Sequence, residues 1–322
     1  MVKSLALQAE LTQEFGICVF DVTLDCEDGA PVGGESDHAN MVADLATKAF
    51  NASKNVALSA WPRIAVRVHA VDHPAFTSDV ETIVGKAGAS LCHVMVPKVE
   101  SVDDIDCAAA ALDSALQRSV MPVCLPIHVL IESPLAVQNV AAIAAHPRVQ
   151  SLSFGLMDFV SAHGGAIPSS AMGLNTAGSD GMLDQFSHPL VVRAKLDIAA
   201  ACHAYGKVPS HCVVTEFKNP LAVQAAALQA GRTLGFTRMW SIHPDQIRPI
   251  LSAFAPAEQD VAQASRIICL AHASDWAPIS VDGVLHDRAS FRYFWQVLER
   301  AHRTAKLSLH DPAQLFFAQS VQ

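Results

Sequence analysis

The chain has 322 residues, 51% hydrophobic and only 16% charged, with a net charge of −9. That length suits one large α/β domain with a short appendage or two ordinary domains, and the sparse charge leaves apolar surface for an oligomer. The acidic balance, with no run of Lys and Arg, weighs against nonspecific nucleic-acid binding, which needs basic patches to displace counterions.

The first segment, "MVKSLALQAELTQEF", lacks the long apolar core and small-residue cleavage site of a signal peptide. No apolar stretch reaches the roughly 18–20 residues of a membrane span. Its "SLALQA" is a weak strand candidate. Short β-branched runs then recur: "ICVFDVTLD" (17–25), "RIAVRVHA" (63–70), "SLCHVMVP" (90–97), "PIHVLIE" (126–132), "VQSLSFGL" (149–156), "VPSHCVVT" (208–215) and "GFTRMWSIHP" (235–244). Between them lie helix-forming segments such as "MVADLATKAF", "DDIDCAAAALDSALQRS", "LAVQNVAAIAAH", "LVVRAKLDIAAACHAYG" and "LAVQAAALQAGRTLG". This alternation predicts a parallel sheet clad in helices, and seven strand candidates plus the weak N-terminal one suit an eight-stranded TIM (β/α)8 barrel.

The phrase "PLAVQ" opens two helices, at 134–138 and 220–224, with Pro at the start, where its missing N–H costs nothing. A Gly/Ser/Pro-rich insertion at 162–189 is long enough to be a functional loop. The expected organisation is a barrel over 1–255 and a C-terminal helical extension over 256–322, broken at "APISVDGVLHDRAS" (277–290). The eight cysteines are scattered, with no CxxC or metal-finger spacing, as expected of buried thiols in the cytoplasm.

In a barrel the chemistry sits where strands end, and these strands end on charge. The runs finish on Asp25, Glu27 and Asp28; Arg67 and His69; Lys98 and Glu100, after Pro97; Glu132; Asp158; Glu216; and His243. Singly, each has a structural explanation: Glu132 and Asp158 as helix caps, Arg67 as a rim partner of Glu27, Lys98 as an ion-pair residue, and His69 and His243 as satisfied histidines. Jointly, carboxylates on neighbouring strands with only oxygen ligands on offer suit a hard cation such as Mg²⁺. No HxxxH pairing points to zinc.

In this order "LDCEDGA", "VMVPKVES", "LIES", "FGLMD" and "SIHPDQI" resemble the HpcH/HpaI aldolase and citrate lyase β-subunit family, whose wider circle includes malyl-CoA and citramalyl-CoA lyases. The likeness spans about residues 17–290. It implies a TIM barrel assembled as a homotrimer or hexamer, and a Mg²⁺-dependent lyase that makes or breaks a C–C bond beside a carbonyl. It implies Glu132 and Asp158 as metal ligands, Arg67 as the substrate clamp, and Glu27 and Asp28 close to the metal. Pro97, Lys98, His69 and His243 would line the substrate site. "DGVLHD" resembles the segment that reaches into a neighbouring subunit, making Asp287 an acid/base supplied in trans.

Such chemistry leaves an enolate on one fragment, and losing one donor to a developing oxyanion costs ~2.7–4 kcal/mol. The chain departs from the family at Arg67-Val68-His69, where Arg-Val-Asn is usual. The "RSxLFxPG"-like first strand is missing, Arg238 lies near where a Gly-Lys precedes "IHP", and "PVGGESDHAN" has no basic residue. These departures touch the coenzyme A handle more than the metal site. The leading expectation is cleavage or formation of a malyl-, citramalyl- or citryl-type 3-hydroxyacyl-CoA. The alternatives are an aldolase acting on free pyruvate or oxaloacetate, a malyl-CoA-type thioesterase, and a non-catalytic binding subunit.

Overall fold

The period-2 runs become short parallel strands, and the Ala-rich segments become the helices that cover one of their faces. The structure, a computed structural model, describes residues 1–53, 57–117, 124–175 and 181–317.

Helix α1 (Val2–Phe15) ends on Gly16, whose φ of 71° is the left-handed stop favoured by glycine. It is followed by β1 (Val22–Asp25), α2 (Glu35–Asn51), β2 (Ile64–Arg67), α3 (Phe76–Ala87) and β3 (Leu91–Val96). Next come α4 (Val102–Gln117), β4 (Ile127–Ile131), α5 (Pro134–Gln138), α6 (Val140–Ala145), β5 (Val149–Phe154) and α7 (Leu156–Ser161). The series continues through α8 (Pro189–Ala204), β6 (Val208–His211), α9 (Pro220–Leu234), β7 (Arg238–Met239) and α10 (Ile247–Phe254).

Strands β1 to β7 pair in sequence order, all parallel. Val22, Leu24, Ile64, Val66, Val94, Val96, Ile127, Val129, Leu152 and Phe154 pack outward with the helices in the main core. Each such side chain contributes roughly 1.5–3 kcal/mol on burial. Alternation turns the intervening residues to the opposite face: Thr23, Asp25, Arg67, His93, Met95, His128, Ser151 and Ser153. This inner face is unusually polar, with Ser151 Oγ and Ser153 Oγ 2.6 and 2.8 Å from the two ring nitrogens of His128.

Two expectations need correction. The weak strand candidate "SLALQA" is helical, as its Ala, Leu and Gln content favours. Among the described residues the parallel sheet therefore has seven strands, and no backbone pairing joins β7 to β1. Side chains span that seam instead. Arg238 reaches Asp21 at 3.2 Å, and Arg63 holds the same carboxylate at 2.5 Å. Asp21, Cys92 and His93 bring three ligand-type groups together. However, guanidiniums already occupy both oxygens of Asp21, so the cluster is a polar plug and a poor cation site. The helix expected over 135–146 is also broken, at Asn139, whose side chain turns to donate to the carbonyl of Glu100 at 2.8 Å.

Beyond α10, helix α11 (Glu258–Ala273), hairpin strands β8 (Ile279–Val281) and β9 (Val284–His286), and α12 (Arg288–Arg303) form a second core around Val261, Ile268, Phe291 and Leu298. The break expected at 277–290 is this hairpin, turned at Asp282-Gly283 with φ of 52° and 80°. No helix among the described residues is long and apolar enough to cross a membrane.

Candidate active site

Parallel strands in sequence order carry all their C-terminal ends to one rim, and that rim holds the charges. Asp25, the last residue of β1, accepts the backbone N–H groups of Glu27 at 3.1 Å and Gly29 at 3.0 Å, curling the chain so that Glu27 and Asp28 face β2. Arg67 is the register partner of Asp25 and meets it through two parallel 2.7 Å hydrogen bonds. Its remaining terminal nitrogen lies 2.7 Å from Glu27, and Asp28 is 3.2 Å away. Burial opposes the Arg67 charge, but these three carboxylates outweigh it and hold its proton more firmly than usual. Trp240, just past β7, lies under the guanidinium at 5.5 Å.

From Glu27 the network runs on to β4. Lys98 Nζ donates to Glu27 at 2.8 Å, while the Lys98 backbone N–H donates to Glu132 at 2.6 Å. That N–H is aimed by a left-handed turn at Lys98, φ 52°, directly after Pro97. Glu132 is buried, 5% exposed. Burial pushes its carboxyl up to about 8, and the charges of Asp158 and Glu27 push the same way, against the pull of the Lys98 N–H. Gly155 permits this packing, because a Cβ there would lie 2.4 Å from Cβ and 2.6 Å from Oε2 of Glu132. Asp158, expected as a possible cap of a helix starting at Phe159, instead lies within the first turn of α7. Its exposed carboxylate has no hydrogen-bond or ion-pair partner among the described residues.

The structure thus joins Glu27, Asp28, Arg67, Lys98 and Glu132 directly, with Asp158 close enough to act on Glu132. His69 sits beside Arg67 but engages Asp79 at 2.6 Å. His243 accepts the N–H of Asp245 and packs on Phe217 at 4.9 Å, with no hydrogen bond or ion pair to the acidic cluster among the described residues. Glu216 accepts the N–H of Leu174 at 3.3 Å and pins the 162–189 insertion, of which residues 176–180 lie outside the described residues. Asp287 caps α12, accepting from Ala289 and Ser290. Gly155, Trp240 and Asp79 are absent from the sequence-derived set. "FGLMD" and "MWSIHP" contain the first two without marking their roles.

An unshared carboxylate beside a buried one held away from its usual ionisation, neither bonded to a Cys or His among the described residues, offers a hard-oxygen donor set that fits Mg²⁺.

Comparisons with known proteins agree on one family. The HpcH/HpaI aldolase/citrate lyase family model matches residues 4–244. An L-malyl-CoA/β-methylmalyl-CoA lyase from Cereibacter sphaeroides is 30% identical over 264 residues, covering 77% of this chain and 75% of that one. The crystal structure of a citrate lyase from Burkholderia xenovorans superposes with a TM-score of 0.79 at 44% identity, covering 98% of this chain and 92% of that one. The protein CitE from Mycobacterium tuberculosis, solved with magnesium, acetoacetate and coenzyme A, shares the fold at a TM-score of 0.63 and 21% identity, covering 92% of this chain and 95% of that one.

Proposed function

The chain belongs to the HpcH/HpaI aldolase/citrate lyase family, and from that premise we propose that it is a Mg²⁺-dependent carbon–carbon lyase acting on a malyl-, citramalyl- or citryl-type 3-hydroxyacyl-CoA. The observation that carries this reading is the continuous network Arg67–Glu27–Lys98–Glu132 across the strand ends, beside the unshared carboxylate of Asp158.

Glu132 and Asp158 would hold the cation, with Glu27 and Asp28 close by, and bound Mg²⁺ supplies Lewis acidity to the substrate's carbonyl and carboxylate oxygens. Arg67 holds the oxyanion or carboxylate of the fragment bearing the hydroxyl. Its bidentate grip on Asp25 fixes the guanidinium plane, and Asp28, with its side chain 74% exposed, is the partner most readily exchanged for substrate. Pro97 and Lys98 set the floor beside Glu132, and His69 and His243 form the polar rim. Asp287 supplies an acid/base group to a neighbouring copy. Both of its capping bonds use Oδ1, leaving Oδ2 without a partner among the described residues.

This assignment includes a TIM-type barrel over 1–255 and an extension over 256–322 that serves assembly and the site in a homotrimer or hexamer. The Asp21–Arg238 bridge across the β7–β1 seam and the separate C-terminal core support it. Eight free thiols fit a reducing compartment such as the cytoplasm. A free pyruvate- or oxaloacetate-type acid is the second reading, favoured by the lack of any Lys or Arg in "PVGGESDHAN" after β1.

Calorimetric titration of acetyl-CoA and of pyruvate, each with Mg²⁺ and with EDTA, tests both readings. Mg²⁺-dependent acetyl-CoA binding, with turnover lost in Glu132→Ala and Asp158→Ala, is the expected result. Mg²⁺-dependent pyruvate binding without acetyl-CoA affinity selects the free-acid aldolase. Wild-type turnover in either variant removes the proposed metal site.

A further inference from the structure

His69, just past the end of β2, is not built like His128, one of the buried histidines of the strands. His128 has both ring nitrogens partnered, by Ser151 and Ser153, as a structural histidine should. His69, 7% exposed, has one: Nδ1 lies 2.6 Å from Oδ2 of Asp79, which also accepts the His69 backbone N–H at 3.1 Å. Asp79 is 1% exposed, and its other oxygen has no hydrogen-bond partner among the described residues. Its carboxylate is therefore committed to this imidazole. An ionised carboxylate only accepts, so Nδ1 carries the proton and proton exchange is left to Nε2. Nε2 has no hydrogen-bond partner among the described residues, yet it is not among the sealed, unpartnered buried atoms.

The position of that residue follows from the strand. The Val68 N–H still bonds to Met95 across to β3, so the extended run continues past Arg67 and places His69 on the same face as Arg67. Asp79 approaches from the first turn of α3, on the outer side, and the His73 ring stacks on the imidazole face at 4.2 Å and 11°. With one edge taken by Asp79 and one face by His73, Nε2 is the ring nitrogen left open, on a residue two positions past Arg67 at the end of β2.

We propose that His69, held in one tautomer by Asp79, is the proton-transfer group this chain contributes to its own site. This rests on the lyase reading above. In the cleavage direction Nε2 takes the proton of the substrate hydroxyl. The oxygen's electron pair forms the new carbonyl, the adjacent C–C bond breaks, and its pair passes to the acyl fragment as an enolate. The proton that later quenches the enolate carbon comes from the other side of the broken bond, the role open to Asp287. His69 is catalytic, and Asp79 is a positioning residue acting through it.

The test uses L-malyl-CoA as the cleavage probe and acetyl-CoA methyl-proton exchange in D₂O as the half-reaction, both with Mg²⁺. His69→Gln is expected to lose about 10²–10⁴-fold in kcat. KM should stay within roughly threefold and methyl exchange should be retained, because only the hydroxyl proton has lost its acceptor. Asp79→Asn should lower kcat in the same sense with the pH profile displaced, and imidazole added to His69→Ala should restore part of the rate. Near-wild-type kcat in His69→Gln overturns the inference while leaving the lyase reading intact. So does joint loss of exchange and cleavage with no imidazole rescue, the pattern of a merely structural residue. Wild-type protein that neither cleaves nor exchanges overturns the lyase reading itself, and this inference with it.

Discussion

Burying Glu132 beside Asp158 and Glu27 opposes its charge, a cost that the Lys98 N–H and ammonium offset only in part and that a bound cation would offset further. The carboxyl rises from 4.5 in the unfolded chain to about 8 in the folded one. Between those values the folded state binds more protons than the unfolded one. The stability from this group is therefore fully present below pH 4.5 and lost as pH rises through 8, at up to roughly 1.4 kcal/mol per pH unit. Glu132→Gln, which has no charge to bury, should melt higher than wild type in EDTA at pH 8.5 and gain nothing from added Mg²⁺. Differential scanning fluorimetry in EDTA and in MgCl₂ checks this, and a lower melting temperature for the variant in EDTA contradicts it. At this scale the strand-end acids and Arg67 were legible, because a charge closing a buried apolar run has few other reasons to be there. Asp79 was not, since an acid in the first turn of a helix reads as a partner of the helix dipole. Nor was Gly155, whose need for a missing Cβ depends on Glu132 arriving from another strand.

The elements read most easily were those whose pattern is local. All seven β-branched runs contain the strands β1 to β7, though β7 shrinks to Arg238–Met239. The break at Asn139 and the identity of α1 depend on distant partners instead. Helix α1 stays because Gln8, 2% exposed, donates to the carbonyls of Phe20 at 2.8 Å and Arg63 at 3.0 Å, beside the fully buried Leu11. Its other tether, from Arg248 on α10 to Glu10 and Glu14 of α1, is solvent-exposed and screened, so it contributes little. The two interactions can be ranked accordingly. Gln8→Ala removes two hydrogen bonds, although the carbonyls keep Cys18 Sγ and the Val22 N–H as donors, and should cost about 1–3 kcal/mol. Arg248→Ala should cost clearly less than Gln8→Ala. Urea unfolding of the two variants decides the order, and an equal or reversed effect would mean that α1 is held by its surface charges.

At the scale of the whole molecule, the unusual feature is polarity inside the curved sheet. A parallel sheet covered on both faces ordinarily reads as continuous apolar sequence. Here "AVRVHA", "CHVMV" and "QSLSF" alternate, and the alternation places His93 and His128 on the inner face with their rings 5.4 Å apart. Burial drives both rings toward the neutral form, His93 to about 4 and His128 well below 6.5. An unfolded chain would protonate them near 6.5, so between pH 6.5 and 4 the unfolded state binds protons that the folded state refuses. Stability is then present above 6.5 and falls with pH, by up to about 1.4 kcal/mol per unit for each ring. The carboxylates Asp21 and Asp25, held below 3.8 by their arginines, enter only at lower pH. Glu132 acts in the opposite sense, so the histidine contribution is cleanest in a Glu132→Gln background. There, urea unfolding at pH 7, 6 and 5 should show a steep acid limb that His93→Gln flattens by up to about 1.4 kcal/mol per pH unit. An unchanged limb would mean that the inner face takes up protons without unfolding, which two buried rings stacked above the arginine-held Asp21 are poorly placed to allow.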